Sequence, residues 1–318
     1  MKNKKIVILG VSGFIGRNLA LYFCQKNYNI VGTYYKNKIS INGVKLVQCD
    51  LTKKNQVNKV IKGADIVIQA AAVLCKGAKD TINKPYMSVN DNAIINSMVT
   101  RACYNFNVKH IIVFSCTVMY GSSHKKQKER DFNANKDMYH RYFGAGWTKV
   151  FIEKMCEFFS RLNRNKYTLI RHSNIYGPYD RFDLEKSHVF GATINKVVNC
   201  KDNLVTIWGK GKESRDLLYI SDLVRFVDLS IKNQKSNFEI YNVGLGKSIS
   251  INDLTKKIIK FYDKNIKIKN DLTKHSLSTK VVLDCSKAKK EIKWSPKVSL
   301  DNGIRKTLKW YLKNKNSI

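Results

Sequence analysis

An apolar run, Lys5–Leu9, enters Gly10-Val11-Ser12-Gly13-Phe14-Ile15-Gly16 and leaves it in a helical pattern over 14–26. Glycine at every third position between a strand and a helix fits a tight turn, a close backbone approach to a ligand, and a helix packed hard on its strand. The helix N-terminus there faces the ligand with unpaired N–H groups, which suits a pyrophosphate. A dinucleotide is therefore expected on Gly10, Ser12, Gly13, Phe14, Ile15 and Gly16. An NAD ribose would call for a carboxylate about 20 residues on, but the second apolar run ends in Tyr34-Tyr35-Lys36. Lys36 beside Tyr35 could instead meet a 2′-phosphate, which tilts the expected cofactor, NAD(P), toward NADP; an ordinary solvated lysine is the other reading.

Further apolar runs at Asn29–Tyr34, Lys45–Val47, Asp65–Gln69, His110–Ser115 and Tyr167–Arg171 alternate with helical patterns near 14–26, 53–62, 84–106 and 143–163. Alternating strands and helices with near-continuous apolar strands predict an α/β fold, a doubly wound parallel sheet covered on both faces. After Arg171 the rhythm changes, ending in helical patterns at 251–262 and 300–313. A dinucleotide-binding domain is expected over 1–173, with 216–246 returning to it through Ser221–Ile231 and Tyr241–Gly246. A smaller C-terminal α/β lobe that binds substrate is expected over 174–215 and 247–318.

The formal charge of +34 raises the question of nucleic acid. The lysines are spread along the chain without a basic tail or aromatic-interleaved block, which argues for anionic small ligands and no specific nucleic-acid partner. The eight cysteines include no C-x-x-C pair, and most, with Cys75 among them, stand in apolar runs. A reducing compartment fits such thiols. No signal peptide is visible, and stretches such as Ala64–Leu74 fall short of the roughly 20 residues of a membrane span. A cytoplasmic protein without membrane insertion is expected, and no metal cluster is apparent.

Gly10-x-x-Gly13-x-x-Gly16, Asp50-Leu51, Gln69-Ala70-Ala71-Ala72, Tyr120-Gly121 and Asn174-Ile175-Tyr176-Gly177-Pro178 resemble the extended short-chain dehydrogenases, the NAD-dependent epimerase/dehydratase family. The likeness continues through Arg215-Asp216, Ser221-Asp222, Asn242-Val243-Gly244 and Trp294-Ser295-Pro296. Within the family, Tyr176–Phe182 followed by Ser187-His188-Val189 looks most like the GDP-L-fucose synthases. The resemblance implies a Rossmann-type fold, a homodimer, and a nucleotide-sugar oxidoreductase: a 4-keto reductase or epimerase, with GDP-sugars favoured. It implies cofactor contacts from Asp50, Leu51, Ala70, Ala71, Ala72 and Lys149. Arg215 would clamp the sugar-nucleotide diphosphate, a task suited to its planar fork. Asn174, His188, Val189, Lys196, Trp208 and Lys280 would complete the substrate contacts.

In the family a tyrosine four residues before a lysine exchanges the sugar proton, and a strand-end Ser or Thr hydrogen-bonds the same oxygen. Lys149 holds the lysine position, but the tyrosine position is Ala145 and the serine position Cys116, with Thr117 beside it. Tyr142, seven residues before Lys149, lies two helical turns away and roughly on the same face. The cysteine that pairs with the histidine of the Ser-His-Val run is replaced by Val118, whereas His188 is kept. Three readings stand open: chemistry rebuilt on Thr117, Tyr142, Lys149 and His188 with Cys116; a low-turnover or regulatory protein holding NAD(P) and a sugar nucleotide; or an alanine introduced at 145 to trap a complex.

Overall fold

A computed structural model describes residues 4–73, 86–123, 125–136, 138–184, 187–274 and 279–317. Cys75 and the first two residues of the helical pattern at 84–106 lie outside them. The alternation runs β1 (Lys5–Leu9), α1 (Phe14–Gln25), β2 (Asn29–Tyr34), β3 (Val44–Gln48), α2 (Lys54–Ile61), β4 (Ile66–Gln69), α3 (Tyr86–Asn105), β5 (His110–Phe114), α4 (Phe143–Arg161) and β6 (Lys166–His172). Then follow β7 (Asn174–Tyr176), α5 (Val189–Val198), β8 (Leu204–Trp208), β9 (Ser214–Tyr219), α6 (Ile220–Asn233), β10 (Phe238–Val243), β11 (Ser248–Ser250), α7 (Ile251–Tyr262), β12 (Lys267–Asp271) and α8 (Leu300–Asn314).

Seven of these strands make one sheet in the order β10-β6-β5-β4-β1-β2-β3, with every pair parallel. Because side chains alternate across a strand, β1 sends Ile6 and Ile8 to one face and Val7 and Leu9 to the other. The first pair packs with Leu19 and Phe23 of α1 and Phe226 of α6. The second packs with Val57 of α2, Val99 of α3 and Ile152 of α4. Both faces are thus covered, which is why these strands read as continuous apolar runs. β9 pairs with β7 and with β11 in a three-stranded sheet, and β8 pairs with β12 in a two-stranded one.

The chain reverses direction of winding between β1 and β4, so the C-terminal ends of these two strands open a crevice of the kind where doubly wound sheets bind ligands. Gly10, Ala70, Ser115 and Ser173 follow β1, β4, β5 and β6 on this edge.

At the opposite end, the His110 imidazole Nε2 lies 2.7 Å from Thr168 Oγ1. Burial, helped by Lys166 and Lys4, lowers its pKa to about 3. The unfolded chain takes up this proton near pH 6.5 and the folded one does not, so the stability it contributes is complete above pH 6.5 and falls as pH drops toward 3. Urea unfolding at pH 7 and 4.5 should show wild type losing about 3 kcal/mol more than His110→Gln over that interval. Equal losses would contradict the neutral buried imidazole.

Candidate active site

The glycine turn is built as its sequence requires. Gly10 has φ +84°, a left-handed conformation, and a Cβ there would stand 2.8 Å from Ala71 Cα. A Cβ on Gly16 would stand 2.3 Å from the Gly10 carbonyl oxygen, so this glycine is what lets α1 pack on β1. Gly13 is different: it is exposed, and its Cβ would meet only the Gly10 carbonyl at 3.3 Å. As N-cap of α1 it brings no side-chain cap, and the first turn carries no acid. An uncapped helix start behind a bare glycine suits an anionic group, so the residues present fit a dinucleotide. Gly13→Val should accordingly abolish dinucleotide binding, read by calorimetry, with a cooperative melt retained. Undiminished affinity would remove this site from the account.

Asp50 follows β3, and its Oδ1 accepts from Thr52 N at 3.0 Å and Thr52 Oγ1 at 2.7 Å. Against a counteracting burial effect, these bonds and Lys53 lower its pKa, keeping it a carboxylate. Leu51 beside it is buried, whereas Tyr35 is exposed and Lys36 Nζ lies 5.4 Å from the centre of its ring. The segment after β4, Ala70-Ala71-Ala72, is pinned from behind by α3. Asn92 Oδ1 accepts from Val73 N at 2.9 Å while its Nδ2 donates to Val73 O at 2.8 Å. Gln69 Oε1 accepts from Ala71 N at 3.2 Å.

Beyond the ends of β5 and β6 lies a cleft lined by Thr117, Val118, Tyr142, Asn174 and Arg215, together with Tyr139, Ser173, Ser214 and Thr279. Thr117, Tyr142, Asn174 and Arg215, far apart in sequence, therefore share one cleft. α4 begins at Phe143, and Tyr142 belongs to the short 3₁₀ turn His140–Tyr142 that precedes it, its ring packed on Tyr139 at 5.6 Å. Burial raises the Tyr142 pKa, and the main influence in the other direction is the Arg215 guanidinium. Arg215 leads that influence and Arg141 adds to it, whereas Lys149 takes no part.

Lys149 points to the sheet edge, where its Nζ donates to the Phe114 carbonyl at 2.7 Å. Burial lowers its pKa, and Cys116 is the leading influence that offsets this. Burial likewise raises the Cys116 thiol, with Lys149 opposing, so the thiol stays protonated at neutral pH. Arg215 Nη1 donates to the carbonyls of Ser214 at 2.9 Å and Thr279 at 2.7 Å. Burial lowers its pKa too, which leaves a partly desolvated cation lining the cleft.

His188 is the N-cap of α5. The residue is exposed, yet burial of its ring, followed by Arg181, lowers its pKa. Val189 starts α5. Lys196, in its last turn, donates from Nζ to Thr206 O at 3.1 Å and lies 5.1 Å from the centre of the half-exposed Trp208 ring. Lys280 is held by its backbone: its N donates to Ser122 Oγ and its O accepts from Ser123 N, both at 2.9 Å. Lys196, Trp208, His188 and Lys280 do not line the same cleft wall as Tyr142 and Arg215.

A buried network under the cleft, absent from the sequence reading, fixes this edge. Arg171 donates from Nε to Glu153 Oε1 at 2.9 Å and from Nη2 to Glu153 Oε2 at 2.6 Å, and from Nη1 to Tyr120 Oη at 2.9 Å. Ser115 Oγ donates to Glu153 at 2.6 Å, and Tyr120 Oη to Asn242 Oδ1 at 2.9 Å. Such bidentate pairing holds β6 against α4, one turn past Lys149. The i, i+4 relation of Lys149 and Glu153 was a usable signal; the partner on β6 was not.

Residues 6–244 match the model of the NAD dependent epimerase/dehydratase family. The chain belongs to that family. It is a family of nucleotide-sugar epimerases, dehydratases and reductases, with relatives named for GDP- and UDP-sugars. A GDP-L-colitose synthase of Yersinia pseudotuberculosis is 26% identical over 319 residues, spanning 98% of this chain and 99% of that one. A GDP-L-fucose synthase of Azorhizobium caulinodans is 25% identical over 322 residues, spanning 98% and 97%. The crystal structure of a UDP-glucose 4-epimerase from Thermotoga maritima superposes with TM-score 0.85 at 23% identity, covering 98% of this chain and 99% of its own. That likeness is one of fold, and it agrees with the α/β sheet expected from the glycine turn and the alternating runs. Among the described residues no helix is long and apolar enough to cross a membrane, and no metal-ligating cluster occurs.

Proposed function

We propose that this protein reduces, and epimerises beside, the ketone of a 4-keto GDP-sugar, with Tyr142 as the proton donor. The observation that carries the reading is the meeting of Tyr142, Thr117 and Arg215 in one cleft at the C-terminal edge of the parallel sheet, beside Lys149. A phenol with a raised pKa holds its proton at neutral pH, as a donor to a developing alkoxide must. The Arg215 charge favours the phenolate left after transfer and offers its planar fork to a diphosphate. Thr117 Oγ1 supplies the second hydrogen bond to the sugar oxygen, a role for which the Cys116 thiol is a poor donor. The nicotinamide, when bound, supplies the hydride. Lys149, anchored on Phe114 O, orients groups at the sheet edge.

The run Tyr176–Phe182 and the two GDP-sugar relatives support GDP over UDP. Lys36 at the end of β2, with no acid there, supports NADP over NAD. The substrate contacts of Asn174, His188, Val189, Lys196, Trp208 and Lys280, the two-part domain division, and a cytoplasmic location belong to the same reading. So does a homodimer, which would cover Phe143, Phe151 and Phe158 of α4, Leu162 just past its end, and Tyr86 and Ile94 of α3, all exposed. Ala145 favours a second reading, a low-turnover protein that only binds the two ligands. Mixing the protein with NADPH and a GDP-4-keto-6-deoxyhexose separates them: cofactor oxidation supports the reductase, whereas tight binding of both without oxidation supports the binding protein.

A further inference from the structure

We infer that the ring of Tyr139 is the sugar-binding face of the cleft, packing on the hexose whose ketone Tyr142 protonates. The inference rests on the keto-sugar reading above and adds a substrate contact that nothing in the sequence pattern singled out.

Tyr139 lines the cleft together with Thr117, Tyr142 and Arg215. It is the N-cap of the 3₁₀ turn His140–Tyr142, and its carbonyl accepts from Tyr142 N at 2.7 Å. Three residues complete one turn of a 3₁₀ helix, so side chains at i and i+3 stand on the same side. The two phenol rings accordingly meet, with centroids 5.6 Å apart and planes at 59°. The His140 ring braces Tyr139 as well, with centroids 4.6 Å apart and planes at 50°. Tyr139 is half-buried, so part of its surface remains open to a ligand in the cleft.

The preceding residue fixes this turn to α4. Met138 is buried in a cluster with Met119 and with Val150 of α4. A Cβ on Gly146 of α4 would collide with Met138 Sδ, so the glycine is what lets the segment lie down on the helix. Tyr139, anchored by Met138 on one side and by two rings on the other, is held in place before a ligand arrives. Little ordering is then needed on binding.

Position in the cleft selects the part of the ligand that the ring meets. Arg215 offers the charge that a diphosphate requires, whereas Tyr142 and Thr117 address the sugar ketone. A ring in contact with Tyr142 therefore meets the hexose and not the phosphates. A pyranose presents C–H groups on its faces, and an aromatic face on an amphipathic side chain suits them. Most of the remaining cleft side chains carry hydroxyls or an amide, among them Thr117, Ser173, Asn174 and Ser214. Those groups orient sugar hydroxyls, and Tyr139 supplies the apolar area that such a polar cleft otherwise has little of.

Calorimetry with GDP and with a GDP-4-keto-6-deoxyhexose tests this, because only the second carries the sugar. Tyr139→Ala should weaken the sugar nucleotide about tenfold relative to GDP. Tyr139→Leu keeps bulk without a ring face and should do the same, whereas Tyr139→Phe should hold the wild-type ratio to within about threefold. A thermal melt of each variant shows that it is folded, and the same titrations with UDP and UDP-glucose make the result independent of the base. Equal losses for GDP and the sugar nucleotide overturn the inference. So does an unchanged ratio in Tyr139→Ala with slower NADPH oxidation, which would assign Tyr139 only to bracing Tyr142. A ratio that falls as expected in a protein that oxidises no NADPH leaves the sugar contact standing and overturns the reductase reading. Wild type that binds no nucleotide sugar overturns both.

Discussion

Arg215→Ala lowers the affinity for a GDP-sugar by about 30- to several-thousand-fold and leaves the dinucleotide affinity within a few-fold of wild type. The guanidinium is partly desolvated, lines the cleft, and already has Nη1 committed to two carbonyls. It is therefore held in place before any ligand arrives, and little ordering is needed to pair with a diphosphate. Removing one side of a desolvated charge pair costs about 2–5 kcal/mol, much of it from leaving the other charge without its partner. Because the diphosphate is common to both, GDP- and UDP-sugars should lose affinity by similar factors, with the base preference setting only their absolute affinities. Calorimetry on both proteins with both ligands measures it, and equal sugar-nucleotide affinities before and after substitution would contradict the assignment of Arg215.

That Arg215 belongs in this cleft was legible only through resemblance, because the segments that meet there are 117–142, 173–174, 214–215 and 279. Local pattern carries no information about such distant meetings. It did carry β1, α1 and the turn between them, since each side chain there answers to a neighbour a few residues away: Gly16 to Gly10 O, and Ile6 and Ile8 to Leu19 and Phe23. The C-terminal strands were illegible for the converse reason. Leu204–Trp208 is apolar in sequence yet alternates between exposed and buried, and its partner Lys267–Asp271 reads as a polar loop. Their pairing is decided by tertiary context and not by β propensity.

The site shows the same division. Lys149 was readable because helical spacing and a Thr-Lys-Val context surround it, whereas Tyr142 could be placed only by knowing that α4 starts at Phe143 behind a 3₁₀ turn. The Arg215 guanidinium is the leading charge that lowers the Tyr142 pKa, while Lys149 donates to Phe114 O at the sheet edge.

Tyr142→Phe should slow reduction of a 4-keto GDP-sugar by about 10²- to 10⁴-fold, the usual contribution of a positioned general acid. Phenylalanine keeps the ring packed on Tyr139, so the loss isolates the hydroxyl from the packing. Ala145 lies one helical turn before Lys149, so a phenol placed there by Ala145→Tyr in the Tyr142→Phe background would be a second route to the same proton. The measurement that bears most directly on the whole account is single-turnover oxidation of bound NADPH by a GDP-4-keto-6-deoxyhexose, compared between wild type and Tyr142→Phe with binding of both ligands checked. The account predicts rapid oxidation in wild type and a fall of at least 10²-fold in the variant at unchanged affinity. Wild-type oxidation that continues undiminished in Tyr142→Phe would contradict it.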